Sequence, residues 1–154
     1  KRRAMKQVKD FMAEGVPAVN EQTSIREILE LFSSTHHNIL PVVNRAGKMT
    51  GLISLEELLD DLLFSREEIS ILEKVSFFAD FLTDIVENVD YISPLVVAKD
   101  IMRTIVFSVK EDESMLKAAV LMKKKNIHRL IVTSKDNIPV DYVSRNEICK
   151  AFMI

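Results

Sequence analysis

Apolar positions in this chain fall into two kinds of run, one spaced every three to four residues and one nearly continuous, and their order occurs twice. In the first half a short apolar segment, VPAV at 16–19, precedes Ser24 and then Ile25, Ile28, Leu29 and Phe32, the spacing of an amphipathic helix behind a serine cap. A buried-looking strand follows, ILPVV at 39–43, then the polar turn NRAGK and a second strand, MTGLIS, so the two strands form a hairpin. A closing helix begins after Ser54. The second half repeats this with IVFSV at 105–109, Ser114, the helical set Met115, Ala118, Ala119 and Met122, the strand LIVT, the turn SKDN and the strand PVDYVS. Its closing helix begins after Ser144.

Displacing the sequence by 90 residues aligns Val8–Leu62 with Ala98–Phe152 without a gap. KDFM at 9–12 falls on KDIM at 99–102, Leu40 and Val42 on Leu130 and Val132, and Ser54 and Glu57 on Ser144 and Glu147. This is an internal repeat. It predicts an α/β fold of two pseudo-symmetric β-α-β-β-α repeats packed together, since neither copy could bury its apolar faces alone. The expected divisions are 5–63 for the first repeat, 64–94 for a helical insert and 95–154 for the second repeat.

The insert lies outside the repeat. Ser65-x-x-Glu68 is a capping signature, and Ile69, Leu72, Val75, Phe78, Phe81, Leu82, Ile85 and Val89 recur at helical spacing, predicting one long or two short amphipathic helices that end before Pro94. Seven charged residues between Glu67 and Glu87 exclude a membrane span. Phe77 and Phe78 stand about 100° apart around a helix. One of them is expected at the edge of the apolar stripe, so a homodimer is expected.

Composition narrows the function classes. At 47% hydrophobic and 29% charged, with a net charge of −2, the chain is globular and carries no field that recommends nucleic acid or an anionic membrane as partner. One cysteine, Cys149, cannot form an intrachain disulfide, fits a reducing compartment, and is expected in the core of the last helix. His36 and His37 are expected to point apart and have no acidic or cysteine cluster to complete a metal site. Lys123–Lys125 suit a helix C-terminus. No nucleophile–base or paired-carboxylate arrangement is legible, so the chain reads as a non-enzyme that requires no cofactor. The absence of an initiating Met and the KRR at 1–3 suggest a segment excised from a larger protein.

Candidate chemistry concentrates at the two Ser-x-x-Glu corners, where a strand ends and a helix starts. Each is by itself a capping box, the Ser oxygen accepting from a first-turn N–H and the Glu reaching back to the cap. A helix N-terminus at a strand end also offers orphan N–H groups to an anion. A first-turn carboxylate can also accept from the two hydroxyls of a ribose. Both readings stand on the sequence alone.

ILPVVNRAGKMTGLISLEELL closely resembles the CBS (cystathionine-β-synthase) domain, with x-L-P-V-V, a Gly turn and G-h-h-S/T-x-x-D before a helix. Tandem pairs of that domain form the Bateman module. The resemblance implies two clefts that bind adenosine-containing ligands, AMP, ADP, ATP or S-adenosylmethionine. By position it assigns a first set, Val16, Pro17, Ala18, Pro41, Ser54 and Glu57. The second set is Val106, Phe107, Ser108, His128, Arg129, Ile131, Ser144 and Glu147, with His128–Arg129 reaching phosphate. The chain departs from the pattern in three places. Glu replaces the usual Asp in both corners, Asp141 replaces a Gly and puts negative charge near the second corner, and Asn38–Ile39 leave the first set without a phosphate grip of its own. The implied function is a regulatory module that senses an adenine nucleotide or derivative and controls an attached or partner protein, such as a membrane ion channel, transporter or enzyme, from the cytoplasm. The alternative is a structural dimerisation module with degenerate clefts.

Overall fold

The computed structural model describes residues 6–12, 15–63 and 96–153. The expected insert at 64–94, with Phe77 and Phe78, lies outside the described residues. Each repeat folds around a three-stranded sheet. In the first, β1 (Val19–Asn20) leads through α1 (Ile25–Ser34) to the parallel strand β2 (Ile39–Val43), which hairpins into β3 (Met49–Ser54) and α2 (Leu55–Leu63). A one-turn helix, α3 (Ala98–Ile101), opens the second repeat. Then follow β4 (Ser108–Lys110), α4 (Met115–Lys125), β5 (Arg129–Thr133), β6 (Pro139–Ser144) and α5 (Arg145–Met153), in the same order and pairing.

Local chemistry accounts for these elements. Ser24 Oγ accepts from the Glu27 N–H at 3.3 Å and Ser114 Oγ from the Lys117 N–H at 3.1 Å, which caps α1 and α4. The helical sets predicted for burial deliver Ile25, Ile28 and Phe32 to one core and Met115, Ala118 and Met122 to the other. The hairpin turns need a positive φ at equivalent positions, met by Gly47 at 80° and Asn137 at 62°. Cys149 is exposed, contrary to expectation. The helix α5 turns Ala151 into the core, so a cysteine two positions earlier faces outward.

The segments before β1 and β4 cross over. Val8, in a 3-10 turn at Val8–Asp10, is completely buried in the core of the second repeat with Val109, Met115 and Ala118. Its N–H donates to the Glu113 carbonyl at 2.8 Å, and the Met115 N–H donates to the Lys6 carbonyl at 2.9 Å. Ala98, equally buried, completes the core of the first repeat with Val19, Ile25 and Ile28. Its N–H donates to the Thr23 carbonyl at 2.8 Å, and the Ile25 N–H to the Val96 carbonyl at 3.1 Å. The repeated Asp of KDFM and KDIM closes each turn: Asp10 Oδ2 accepts from the Gln7 N–H at 3.2 Å and Asp100 Oδ2 from the Val97 N–H at 3.0 Å.

Past α3 the chain lies antiparallel to β3, the Leu52 and Arg103 backbones exchanging hydrogen bonds of 2.9 and 2.8 Å. The approach depends on Gly51. A Cβ there would stand 2.8 Å from Met102 Cγ and 3.0 Å from the Arg103 carbonyl oxygen. The equivalent position in the second repeat is Asp141, only 3% exposed, and a carboxylate takes the place of the methionine packing. Its Oδ2 accepts from the Gly15 N–H at 3.1 Å and its Oδ1 from the Tyr142 N–H at 2.7 Å, so it ties the entry to the first repeat onto β6. Burial pushes the Asp141 carboxyl above the ordinary carboxylate range, and the two N–H donors offset only part of that.

Two expectations follow. Gly51→Ala should destabilise the chain by about 1–3 kcal/mol through overpacking against Met102. Combining it with Met102→Ala should recover part of the loss, a coupling that a double-mutant cycle in urea would read; strictly additive losses would mean that the two positions do not meet. For Asp141 the native state holds a proton that the unfolded chain has already lost, between the ordinary carboxylate range and the raised native value. Its contribution therefore rises as pH falls through that window. Urea denaturation at pH 7 and pH 4.5 should show the stability difference between wild type and Asp141→Asn moving in favour of wild type at the lower pH. A difference that moves the other way would place Asp141 among stabilising carboxylates.

Candidate functional site

Alternation along the hairpins decides which side chains can meet a ligand. Val143 and Asp141 of β6 point to the core side, whereas Tyr142 and Ser144 point to the open side; Ile53 and Leu52–Ser54 of β3 divide in the same way. Asp141 thus turns to the core side and lines neither of the two clefts described below, but its carboxyl stays close enough to act electrostatically on Glu147 and Tyr142 at the second corner, as expected. Strand register sets Arg129 opposite Ser144 and Ile39 opposite Ser54, so an arginine stands beside one corner where an isoleucine stands beside the other.

Three hollows open over these corners: two are related by the 90-residue repeat, and a third, about 310 Å³, is formed by Ser54, Glu57 and Leu58 with Asp100, Ile101 and Met102. The first, about 180 Å³, has Ser54, Glu56 and Glu57 on one wall and Ile105, Val106 and Phe107 on the other. Arg103, His128 and Arg129 complete it. The second, about 320 Å³, has Ser144, Arg145, Asn146 and Glu147 against His36 and Asn38 of the first repeat. Tyr142, His128 and Arg129 complete that one. His128 and Arg129 therefore line both.

The grouping differs from the one expected. Ser54 and Glu57 share their cleft with Val106, Phe107, His128 and Arg129 from the other repeat, because the lead-in segments cross before they reach the sheets. The first corner is thus not without cationic neighbours. Val16, Pro17 and Ala18 do not line the first cleft; the Gly15 hydrogen bond to Asp141 puts their segment beside β6. Pro41 and Ile131 are buried within β2 and β5, out of reach of either cleft. Ser108, half-buried at the start of β4, lines neither.

Arg103 escaped the sequence reading. Its Nη2 lies 2.8 Å from Glu57 Oε1. Its only sequence signal is its place directly after KDIM, where the first copy has Ala13. With side chains 62% and 45% exposed, the pair contributes at most about 1 kcal/mol and can open cheaply for a ligand. Glu147 behaves differently. Its Oε2 accepts from the Ser144 N–H at 2.7 Å and from the Ser144 hydroxyl, while Ser144 Oγ accepts from the Asn146 N–H at 3.2 Å. Burial pushes the Glu147 carboxyl up, but the Ser144 hydrogen bonds outweigh it and hold the group below the ordinary range. One corner has folded its carboxylate into a capping box, and the other presents it to the cleft.

Two further features shape the walls. Lys125 Nζ lies 4.8 Å from the centre of the Phe107 ring, and Ile105 beside it is 75% exposed, an apolar shelf open to solvent. His36 and His37 do not point apart as expected. Their rings lie 4.4 Å from each other, and His37 meets Tyr142 edge-on at 5.7 Å, because α1 ends at Ser34 and the loop turns both rings toward the second repeat.

Comparison with known proteins accords with this geometry. The CBS domain family matches residues 8–63 and 98–154. An uncharacterised protein of Methanocaldococcus jannaschii, MJ1232, is 28% identical over 93% of this chain, which spans only 38% of that protein's length. A second from the same organism, MJ1426, is 25% identical over 95% of this chain and 90% of its own. Among solved structures, the complex of CBSX2 with AMP covers 96% of both chains with a TM-score of 0.68 at 23% identity. The CBS domain pair of MJ0100 with 5′-methylthioadenosine and S-adenosyl-L-methionine covers 97% of this chain and 98% of its own (TM-score 0.62, 22% identity). The CBS domain of a membrane protein from Sphaerobacter thermophilus covers 96% and 88% (TM-score 0.72, 21% identity). With two matched stretches that take up most of its length and fold as paired repeats, the chain belongs to the CBS domain family.

Proposed function

We propose that this chain is a regulatory module that binds an adenosine nucleotide or derivative in the clefts between its repeats and passes that state to an attached or partner protein. One observation carries the reading. The Ser54–Glu57 corner opens onto the Ile105–Phe107 shelf, with His128 and Arg129 beside both. An aromatic-edged apolar wall suits a purine, a first-turn carboxylate suits the two hydroxyls of a ribose, and a guanidinium beside a histidine suits phosphate. The AMP of CBSX2 and the adenosine derivatives of MJ0100 support that ligand class. A ligand in the first cleft touches both repeats, so it favours the arrangement in which the walls are correctly spaced, which is what control of a neighbour requires. No helix among the described residues is long and apolar enough to cross a membrane. We place the module on the cytoplasmic side of its host, a channel, transporter or enzyme, with homodimerisation as its working state.

A second reading, a dimerisation module with unused clefts, draws on the exposed apolar side chains Leu116, Val120, Phe152 and Met153 of α4 and α5. Binding separates the two. AMP at 100 times its dissociation constant stabilises the fold by about 2.7 kcal/mol, a rise in melting temperature of roughly 5–10 °C for a chain of this size. No shift with millimolar AMP, ADP, ATP or S-adenosylmethionine would favour the structural reading. Arg129→Ala should weaken AMP about ten- to a hundredfold, the worth of a charged hydrogen bond, and adenosine much less. Equal weakening of both would make Arg129 a structural residue. Ser144→Ala should cost about 1 kcal/mol of stability as a lost cap; a fall in affinity beyond what that loss explains would give the hydroxyl a ligand as well.

A further inference from the structure

The repeats meet along two seams related by the 90-residue displacement, and one of them can titrate. On the β3 side the seam is apolar: Leu52 and Ile127 line the same hollow, and Met102 packs against Gly51. The equivalent positions on the β6 side carry Tyr142, His37 and Asp141. There His37, from the loop between α1 and β2, sets its ring edge-on to Tyr142 at 5.7 Å, first repeat against second. Its Nδ1 is buried and has no hydrogen-bond partner among the described residues. A neutral imidazole can turn a lone pair inward at that atom, whereas an imidazolium carries N–H on both nitrogens and would hold a charged donor there unmet. The ionisable groups around the ring are His36 of its own loop, 4.4 Å away between ring centres, and Asp141 and Tyr142 of β6. Glu147 of α5 acts on Asp141 and Tyr142, and Arg129 of β5 acts on Tyr142. Burial holds His37 below the ordinary histidine range, His36 adds to that, and Asp141 opposes it less strongly.

We propose that His37 is a proton-operated latch between the repeats: its neutral ring holds the edge contact with Tyr142, and protonation turns Nδ1 out to solvent and parts the two. Asp141 does not anchor the charged ring at Nδ1, since its oxygens accept from the Gly15 and Tyr142 N–H groups. Release of the latch loosens the β6 seam and leaves the apolar β3 seam closed, because neither Leu52 nor Ile127 carries a group that titrates. Acidification therefore opens the module on one side, as a hinge, and no ligand is required. The sign for stability follows from the lowered native affinity for the proton. As pH falls from the ordinary histidine value through the native one, the unfolded chain takes up the proton first, so the fold loses stability in that window.

The chain has no tryptophan and two tyrosines, so with Tyr91→Phe the single fluorophore is Tyr142. Between pH 8 and pH 5 its emission should change in one step with a midpoint below 6.5, coincident with the titration of the His37 imidazole followed by NMR on the full chain. His37→Phe keeps a ring for the edge contact and cannot take a proton, so it should abolish the step; His37→Gln, which has no ring, should abolish it as well. His36→Asn should keep the step and move it to higher pH by removing a like charge, and Asp141→Asn should move it to lower pH by removing an opposite one. In urea, wild type should lose stability relative to His37→Phe as pH falls below 6.5. A His37 titration at or above 6.5 in the wild type, which needs no variant to fold, would overturn the latch. So would a Tyr142 step that survives in both His37 variants, or one that disappears with His36→Asn.

Discussion

The structure depends on the exchange of Val8 and Ala98 between the two cores. Each repeat alone is a three-stranded sheet with a first strand of only two or three residues and helices to cover it, close to the limit of independent stability. Each core is missing one completely buried side chain that the other half of the chain provides. Burying a valine contributes about 1.5 kcal/mol or more. The backbone of each lead-in also pairs with the partner's loop, so the exchange satisfies amide groups that would otherwise be buried without partners. Two marginal units become one cooperative one. Relative motion of the repeats must therefore work against these contacts, and a ligand that spans them acts on the same degree of freedom.

The crossing explains why the sequence revealed the repeat more readily than the site. Periodicity is local, so Ile25, Ile28 and Phe32, or Met115, Ala118 and Met122, announce a buried face without reference to what covers it. Strand alternation likewise identifies Ser54 and Ser144 as positions that leave a sheet and start a helix. Which lead-in meets which sheet is a long-range fact with no periodic signal, and it was the one needed to group the ligand wall. Val16–Ala18 and Val106–Phe107 were assigned to their own repeats by proximity in sequence, whereas the Gly15 and Arg103 backbones show each segment lying on the other. Arg103 was invisible for the same reason: a lone arginine in a connecting segment acquires a role only through the bridge to Leu52. Asp141 was legible as an oddity, but its direction was set by the β6 pleat, which turns it to the core and not to the cleft.

Within a fold built on duplication, the positions where the copies differ carry the functional information. Gly51 admits Met102, and Asp141 instead binds the Gly15 amide, so the two halves close on each other by unlike means, one apolar and one through a buried carboxylate. Glu57 and Glu147 are the same residue at the same register, yet one reaches out to Arg103 and the other back to Ser144. The difference follows from the neighbours. The segment after α3 brings a guanidinium within 2.8 Å of Glu57, and a partner of opposite charge competes successfully with the weaker hydrogen bond to the cap. A carboxylate that has reached back to its own helix is satisfied and rigid, whereas one held only by an exposed ion pair can exchange that partner for a ligand hydroxyl at small cost.

His128 and Arg129 make the asymmetry consequential. They are the first residues of their strand and the last of the loop from α4, so their position is fixed by the β5 register on one side and by the left-handed Asn126 that ends α4 on the other. That placement puts them between the clefts, so one guanidinium lines both. If each cleft had its own pair, occupancy of one would be electrostatically almost independent of the other. With a single pair, the free energy of a charge entering one cleft depends on whether the guanidinium is already engaged, and coupling of this kind is reciprocal by necessity.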